Sequence, residues 1–391
     1  MKRFVSLLLV LMLLSGCSSR AVQQSETTTH SDAEIRAVWI SYLDWKQFFR
    51  ESEDDYSASV RETMLRIKDA LFNTVFLHVR AFSDAFYPSE LFPFSACITG
   101  AEGKNLGFDP LLLFCREAEK AGVSVHAWIN PFRIGSKKDF AQKAEKNPAV
   151  AILHDEDPDN DHCVVCVDDM LYYDPASSWV HDLNLRSIRE LLEHYPIDGI
   201  HIDDYFYPGT DPEIDQTEYA AYTSQGGSMD LDDWRRAEIN AFVSAVYMTI
   251  KQYGDEKVFS ISPAVRINRN FDTLYADVAR WGAVEGYCDW LIPQVYVGFL
   301  HETLPFRDAV TQWNDLVRCD SVRILYGLAA YKCGQEDAYA GTGSNEWIDN
   351  KDILSEQIEY SRTMPRYDGF ALFSYSSVFD RKDLFNLNSE K

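Results

Sequence analysis

Eight short apolar runs recur along the chain, separated by segments of helical periodicity, and this alternation restricts the fold more than any other feature. The runs are 35–41, 74–79, 123–129, 197–203, 258–262, 290–296, 322–328 and 369–375. Between the first two, Val60, Met64, Ile67 and Leu71 fall at helical spacing within 59–72. Asp109 and Pro110 offer the next helix an N-cap and a first-turn proline. Segments 231–253, 272–286 and 349–362 repeat the helical pattern. Strands alternating with helices predict parallel βα units, and eight of them predict a (β/α)8 TIM barrel of the α/β class. An open doubly wound sheet is the alternative, and the glycine-rich phosphate turn that would favour it is missing.

Two excursions interrupt the repeat. Segment 148–175 carries Val164-Val165-Cys166-Val167 and Met170-Leu171-Tyr172-Tyr173 around Asp168-Asp169, which predicts an inserted β-hairpin. Segment 207–230 is polar and contains Gly226-Gly227. Both are expected near the carboxyl face of the barrel, where such folds build their clefts.

The amino terminus reads Met1-Lys2-Arg3, an apolar run over 4–14, then Leu14-Ser15-Gly16-Cys17. A charged start, a short apolar region and small residues before the cleavage point make a signal peptide, and the run is too short to span a bilayer. A cysteine directly after Ser-Gly resembles the lipobox of bacterial lipoproteins. Residues 1–16 are therefore expected to be removed, Cys17 to be lipidated, and 17–34, rich in Ser, Thr and Gln, to tether the domain 35–391 to a membrane outside the cytoplasm.

The formal net charge of −24 argues against a nucleic-acid partner, whose phosphates require clustered Lys and Arg. Seven cysteines besides Cys17 make an odd number, so no complete disulfide framework is expected. Cys163 and Cys166 have the spacing of half a zinc site, but no second pair follows. No metal and no cofactor are expected, and the domain is expected to act as a monomer.

Chemistry concentrates in Gly199-Ile200-His201-Ile202-Asp203-Asp204-Tyr205-Phe206-Tyr207-Pro208. Pro208 cannot donate to a ladder, so the strand stops near Tyr205 and leaves Asp203 and Asp204 at its carboxyl end. Adjacent aspartates cannot both ionise freely, so one pKa is expected to rise and the other to fall. A helix cap or polar turn is the bland alternative, but three large rings beside the pair disfavour it. Other strand ends add Arg80 and Asp84, then Trp128, Asn130 and Arg133, and later Asn268, Arg269, Gln294, Tyr296, Tyr331 and Lys332. With Tyr205 and Tyr207, these rings and planar hydrogen-bonding groups suit a sugar, which offers an apolar face and a rim of hydroxyls.

The blocks Arg36-Ala37-Val38-Trp39-Ile40, His78-Val79-Arg80, His126-Ala127-Trp128-Ile129-Asn130-Pro131-Phe132-Arg133 and Asp198 through Pro208 resemble the bacterial glycosyl-hydrolase-like lipoproteins. Ser260-Ile261-Ser262-Pro263, Asn268-Arg269-Asn270, Pro293-Gln294-Val295-Tyr296 and Tyr331-Lys332 extend the resemblance across the exported domain. It implies a TIM-barrel hydrolase of peptidoglycan glycan strands that lack stem peptides. Two stretches depart from the family pattern, Tyr173 through Ser177 and Ala264 through Ile267, in loops expected to contact substrate.

No second carboxylate stands at the fifth to eighth strand ends, and Asp289 precedes the sixth strand, on the opposite face. Adjacent aspartates suit substrate-assisted cleavage of N-acetylhexosamines, in which the acetamido oxygen is the nucleophile. Asp204 is then the expected general acid and Asp203 its orienting partner, with the reverse assignment as the alternative. Asp84, Asp174 or Asp211 reaching in from a loop would restore ordinary two-carboxylate catalysis. His78, His126 and His201 raise a second class, a metal-dependent amidase or esterase. A non-catalytic glycan-binding lipoprotein is the third.

Cys17→Ala should abolish incorporation of a radiolabelled fatty acid and partition into the membrane fraction through a lipid. Equal labelling of the variant and the natural chain would reject the lipobox.

Overall fold

The computed structural model describes residues 33–381; the expected signal peptide, Cys17 and most of the expected tether lie outside them. Eight parallel strands close into a barrel: β1 (Ile35–Ile40), β2 (Thr74–Arg80), β3 (Ser124–Ile129), β7 (Gly199–Ile202), β8 (Val258–Ile261), β9 (Trp290–Leu291), β10 (Arg323–Leu328) and β11 (Tyr367–Phe373). Their order around the ring follows the chain, and β11 pairs with β1 to close it. Helices fill most of the intervals, among them Glu53–Asp69, Pro110–Ala121, Ser178–His194, Leu231–Lys251 and Ile353–Ser361.

Side-chain alternation sorts the core into two layers. On β1, Ala37 and Trp39 join Phe76, Trp128, Ile292, Leu325 and Ala371 inside the barrel. Val38 and Ile40 face outward into the larger cluster with the helices. Asp109 caps the second long helix as expected, its side chain accepting from Leu112 N, with Pro110 in the first turn. The sixth strand is shorter than the apolar run suggests, since Pro293 offers no amide. Alignment persists past it, because Gln294 bridges Ala264 on one side and Gly327 on the other. Segment 272–286 holds the last residue of the helix Ile267–Asp272 and the short helix Val278–Ala283.

The remaining strands form a separate antiparallel sheet in the order β4-β6-β5, built from β4 (Arg133–Ser136), β5 (Val164–Val167) and β6 (Met170–Tyr173). Its hairpin turns at Asp168 and Asp169, both with positive φ (49° and 62°), which matches a two-residue turn of the primed kind. Strand β4 has no counterpart in the sequence expectations. It is four residues long with a register shift between Arg133 and Gly135, too short and irregular to give a periodicity. The second excursion contains the helix Gln216–Ser224. It is fastened at Asp215, whose carboxylate takes two bonds from Arg235 (2.7 and 2.6 Å) and one from Tyr207 Oη (2.8 Å). All seven described cysteines are free, Cys163 and Cys166 included.

Gly199, which opens β7, is needed for close approach. A Cβ there would overlap the Val258 carbonyl oxygen and come within 2.8 Å of His126 Nδ1. Gly199→Ala should therefore cost about 1–3 kcal/mol of stability through overpacking, read as a lowered thermal midpoint. A midpoint equal to that of the natural chain would show that the strands move apart freely.

Candidate active site

Strand β7 ends at Ile202, and the chain turns at once, with Phe206 N bonding to Asp204 O (3.1 Å). This turn puts both aspartates at the carboxyl mouth of the barrel, in a cleft of about 340 Å3. The two carboxylates differ in setting. Asp203 is 3% exposed. Its Oδ2 accepts from Trp128 Nε1 (3.1 Å), and its Oδ1 from Asn130 Nδ2 (3.0 Å) and Tyr205 N (3.3 Å). Asp204 is half-buried, and its Oδ1 accepts from Gln294 Nε2 (3.1 Å). Gln294 is itself held by the Ser262 carbonyl (2.9 Å).

Both aspartates are held above the ordinary carboxylate range, so the expected split into one raised and one lowered pKa does not occur. Burial pushes Asp203 up to about 7, the charge of Asp204 adds to that rise, and Arg133 opposes it. Burial also raises Asp204, against the Gln294 hydrogen bond and the charges of Arg269 and Arg133. Desolvation of two carboxylates at one strand end outweighs the division of charge between them.

Beneath the pair the barrel is packed with rings around His201. Its Nε2 accepts from Trp39 Nε1 (3.0 Å), which leaves Nδ1 to donate to Ser260 Oγ (2.9 Å). His78 stacks on Trp128 with centroids 3.7 Å apart and planes at 10°. Burial pulls the pKa of His78 and of His201 well down, so both rings are neutral. His126 lies deeper, stacked on Trp290, and burial lowers it to about 4. No group of three His, Cys, Asp or Glu with metal-holding geometry occurs among the described residues.

Of the residues proposed from sequence, Trp128, Arg133, Tyr205, Gln294, Tyr296 and Tyr331 line the cleft with the two aspartates. Asn130 is fully buried and acts on the cleft through Asp203. Six others are placed elsewhere. Arg80 is buried against Phe92 and bonds to Asn184 Oδ1 (2.5 Å). Asp84 is buried near Ser95, Lys143 and Glu102, and burial raises its pKa to about 6. Tyr207 serves the Asp215 network, and Lys332 bonds Asp337 (2.6 Å) and the Tyr296 carbonyl. Asn268 and Arg269 are exposed; Asn268 borders a separate hollow with Phe271 and Leu304. Arg80, Tyr207 and Lys332 are taken by Asn184, Asp215 and Asp337, Asp84 is buried away from the cleft, and Asn268 and Arg269 point to solvent, none of which strand-end position alone reveals.

None of the loop acids reaches the cleft. Asp174 is fully buried beside Glu218, and burial together with that neighbour raises its pKa to about 10. Asp211 borders a different hollow. Tyr173 is also buried, bonded to Ser83, so the Tyr173–Ser177 departure does not alter the cleft wall. Asp289 accepts from Phe259 N (2.7 Å) and pairs with Lys251 below the barrel.

The cleft also contains Trp39, Ser41, Tyr42, Leu43, His78, Ser262 and Phe373, which were not proposed as contacts. The signal was present for Trp39 and His78, which lie on the inward parity of β1 and β2. A larger open hollow of about 1080 Å3, bordered by Arg307, Glu346 and Tyr360, shares no lining residue with the cleft. Its Glu346 is occupied by the amides of Phe299 and Leu300, so the paired acids favour the smaller cavity as the reacting site.

Known proteins place this arrangement in a family. A glycosyl hydrolase YngK of Bacillus subtilis is 33% identical over 351 residues, spanning 84% of this chain and 67% of that protein. Glycosyl hydrolase DigH of Escherichia coli K12 is 29% identical over 383 residues, 89% of this chain and 84% of that protein. Among solved structures, alpha-L-fucosidase isoenzyme 2 of Paenibacillus thiaminolyticus superposes with a TM-score of 0.50 at 12% identity, covering 88% of this chain and 46% of that one, a likeness of fold alone. The family glycosyl hydrolase-like 10 matches residues 34–342, and the chain belongs to it.

Proposed function

We propose that the chain is a glycoside hydrolase that cleaves cell-wall glycan containing N-acetylhexosamines, from a lipid anchor at Cys17 outside the cytoplasm. The observation that carries this reading is the unequal pair in the cleft. Asp203 is buried and held by three donors, Asp204 is more open and held by one, and no third acid lines the cleft among the described residues. YngK and DigH, both called glycosyl hydrolases, support the reaction class.

Asp204, on the open side, protonates the leaving glycosidic oxygen. The substrate's acetamido oxygen attacks the anomeric carbon as that bond breaks, which gives a cyclic intermediate. Water then opens the ring and returns its proton to Asp204. Asp203 accepts a hydrogen bond from the acetamido N–H and balances the charge that develops. A carboxylate has about four lone-pair sites, so its three donors leave one acceptor for that N–H. Tyr205, Tyr296 and Tyr331 supply ring faces for the sugars.

The amidase or esterase alternative is weakened by the use of both His201 nitrogens inside the barrel. The binding-only alternative is decided by turnover. Incubation with peptide-free cell-wall glycan should release products detectable by mass spectrometry, and the de-N-acetylated glycan should not be cleaved. Asp203→Asn and Asp204→Asn should each lower kcat by about 100-fold or more, and the double variant should lose little beyond the worse single. Efficient cleavage of the de-N-acetylated glycan would overturn the internal nucleophile, and no cleavage of either glycan would overturn the glycosidase.

The pair's coupling has a separate readout. The Trp128 indole N–H, bonded to Asp203, should titrate with a midpoint of about 7 in a proton–nitrogen correlation spectrum. Asp204→Asn removes a charge that raises Asp203, so the midpoint should move to lower pH. An unchanged or higher midpoint would mean that burial alone sets it.

A further inference from the structure

The two excursions meet at a pair of carboxyl groups that the cleft does not use. Asp174 directly follows β6 and is fully buried. Glu218 projects from the helix Gln216–Ser224, with its side chain 15% exposed. One oxygen of each has an ordinary partner. Asp174 Oδ1 accepts from Ala176 N (2.8 Å), and Glu218 Oε1 lies 2.7 Å from His162 Nε2, which donates to it. The remaining oxygens, Asp174 Oδ2 and Glu218 Oε2, are buried and receive no hydrogen bond from any described residue. The two carboxyl groups are within hydrogen-bonding reach of each other.

The surroundings leave this pair short of positive charge. Asp215, the third acid of the junction, takes Arg235 of the helix Leu231–Lys251 and the Tyr207 hydroxyl, so that guanidinium is spent. His162 and Cys163 face the pair from the short helix Pro158–Cys163. Burial raises the Cys163 thiol, Ser177 opposes the rise, and Glu218 and Asp174 add to it. Burial raises Asp174 as well, with Glu218 and Asp215 adding to the effect. No cation pairs with Asp174 among the described residues. Two ionised carboxylates in contact would repel and leave two buried oxygens unmet, whereas one proton between them gives each oxygen a partner.

We propose that Asp174 and Glu218 share one proton, with Asp174 Oδ2–H donating to Glu218 Oε2, and that this bond is a latch fastening the second excursion to the accessory sheet. Both parts it joins border the cleft. Asp174 N extends the sheet onto Cys163 O (2.9 Å), and Tyr172, two residues earlier, is in register with Arg133. The second excursion begins two residues after Tyr205. Loss of the proton puts two anions in contact and releases the helix Gln216–Ser224 from the sheet. Burial, with Glu218, holds the Asp174 pKa at about 10. A carboxyl whose native pKa lies above its unfolded value stabilises the closed junction fully in acid, and that contribution is lost as pH rises through about 10. The latch is therefore closed at neutral pH and opens in alkali.

The proton and the junction are read separately, and neither readout needs turnover. At a pH between the Asp203 and Asp174 midpoints, about 7 and about 10, the infrared spectrum of the natural protein should contain a protonated-carboxyl C=O band that Asp174→Asn lacks. In Glu218→Gln the side-chain amide donates to Asp174 in place of the proton, so the midpoint of that band should move to lower pH. Asp174→Asn keeps a donor toward Glu218 but cannot ionise. The rate of hydrogen exchange at the amides of 216–224 in the natural protein, divided by that in Asp174→Asn at the same pH, should rise about tenfold or more between the two midpoints. Absence of the band from the natural protein would overturn the proposal without any variant having to fold. A midpoint unaltered in Glu218→Gln would also overturn it, since burial alone would then hold the proton. An exchange ratio that stays constant with pH would overturn the latch, because the pair would then have no part in holding the helix.

Discussion

A carboxylate buried at the mouth of a barrel is the constraint on which the rest of the cleft depends. Removing a charge from water costs several kcal/mol even after relaxation, and only well-placed donors offset it. At Asp203 these are the Trp128 indole, the Asn130 amide and the Tyr205 backbone N–H. Each donor is fixed by something else. Trp128 is clamped by the stacked His78, and Asn130 is held because its oxygen caps the Arg133 amide where β4 begins. Tyr205 is set by the turn that ends β7. Loss of any one exposes a buried acid to an unmet bond, so the wall is coupled and not a set of separate contacts.

The interior beneath the pair is arranged to stay uncharged. A protonated His201 would pull both aspartates down, but its Nε2 is an acceptor for Trp39 and burial disfavours its cation. His78 is suppressed by burial and by the nearby Arg133. Cationic influence on the aspartates therefore comes from the cleft side, through Arg133 and the exposed Arg269, and leaves both pKa values raised. A raised carboxyl keeps its proton nearer neutrality, which a general acid at neutral pH requires.

The barrel was legible because periodicity is a property of whole segments. Each of the eight runs overlaps a strand, and the Asp168-Asp169 hairpin turns where its sequence suggests. Individual site residues were legible when strand parity decided their direction, as for Trp128, or when a strand end decided it, as for Asp203. Past the strand end, or across the register shift between His78 and Arg80 in β2, parity no longer applies. Arg80, Tyr207 and Lys332 sit within a residue or a few of cleft residues, yet Asn184, Asp215 and Asp337 capture them. Those partners lie 104, 8 and 5 residues away in sequence, and strand-end position does not distinguish a captured polar group from a free one. Gln294 shows the opposite case. Pro293 ends the strand early, but the bridges to Ala264 and Gly327 carry the ladder far enough to deliver the amide to Asp204.

Arg133 owes its freedom to the excursion that the barrel itself does not need. Without β5 and β6, the residues after Asn130 would have no edge to pair with, and a mobile guanidinium beside two aspartates would settle on one of them. Pairing β4 with β6 fixes the backbone at Tyr172, and Phe82 and Tyr205 then fix the head group. The chain as a whole carries a formal charge of −24, which repels an acidic polymer at long range. That repulsion is screened over roughly 8 Å at physiological ionic strength, while a half-enclosed ion pair is screened much less. Within the cleft, the field at a bound ligand is therefore set by Arg133 and the two aspartates more than by the charge of the domain as a whole.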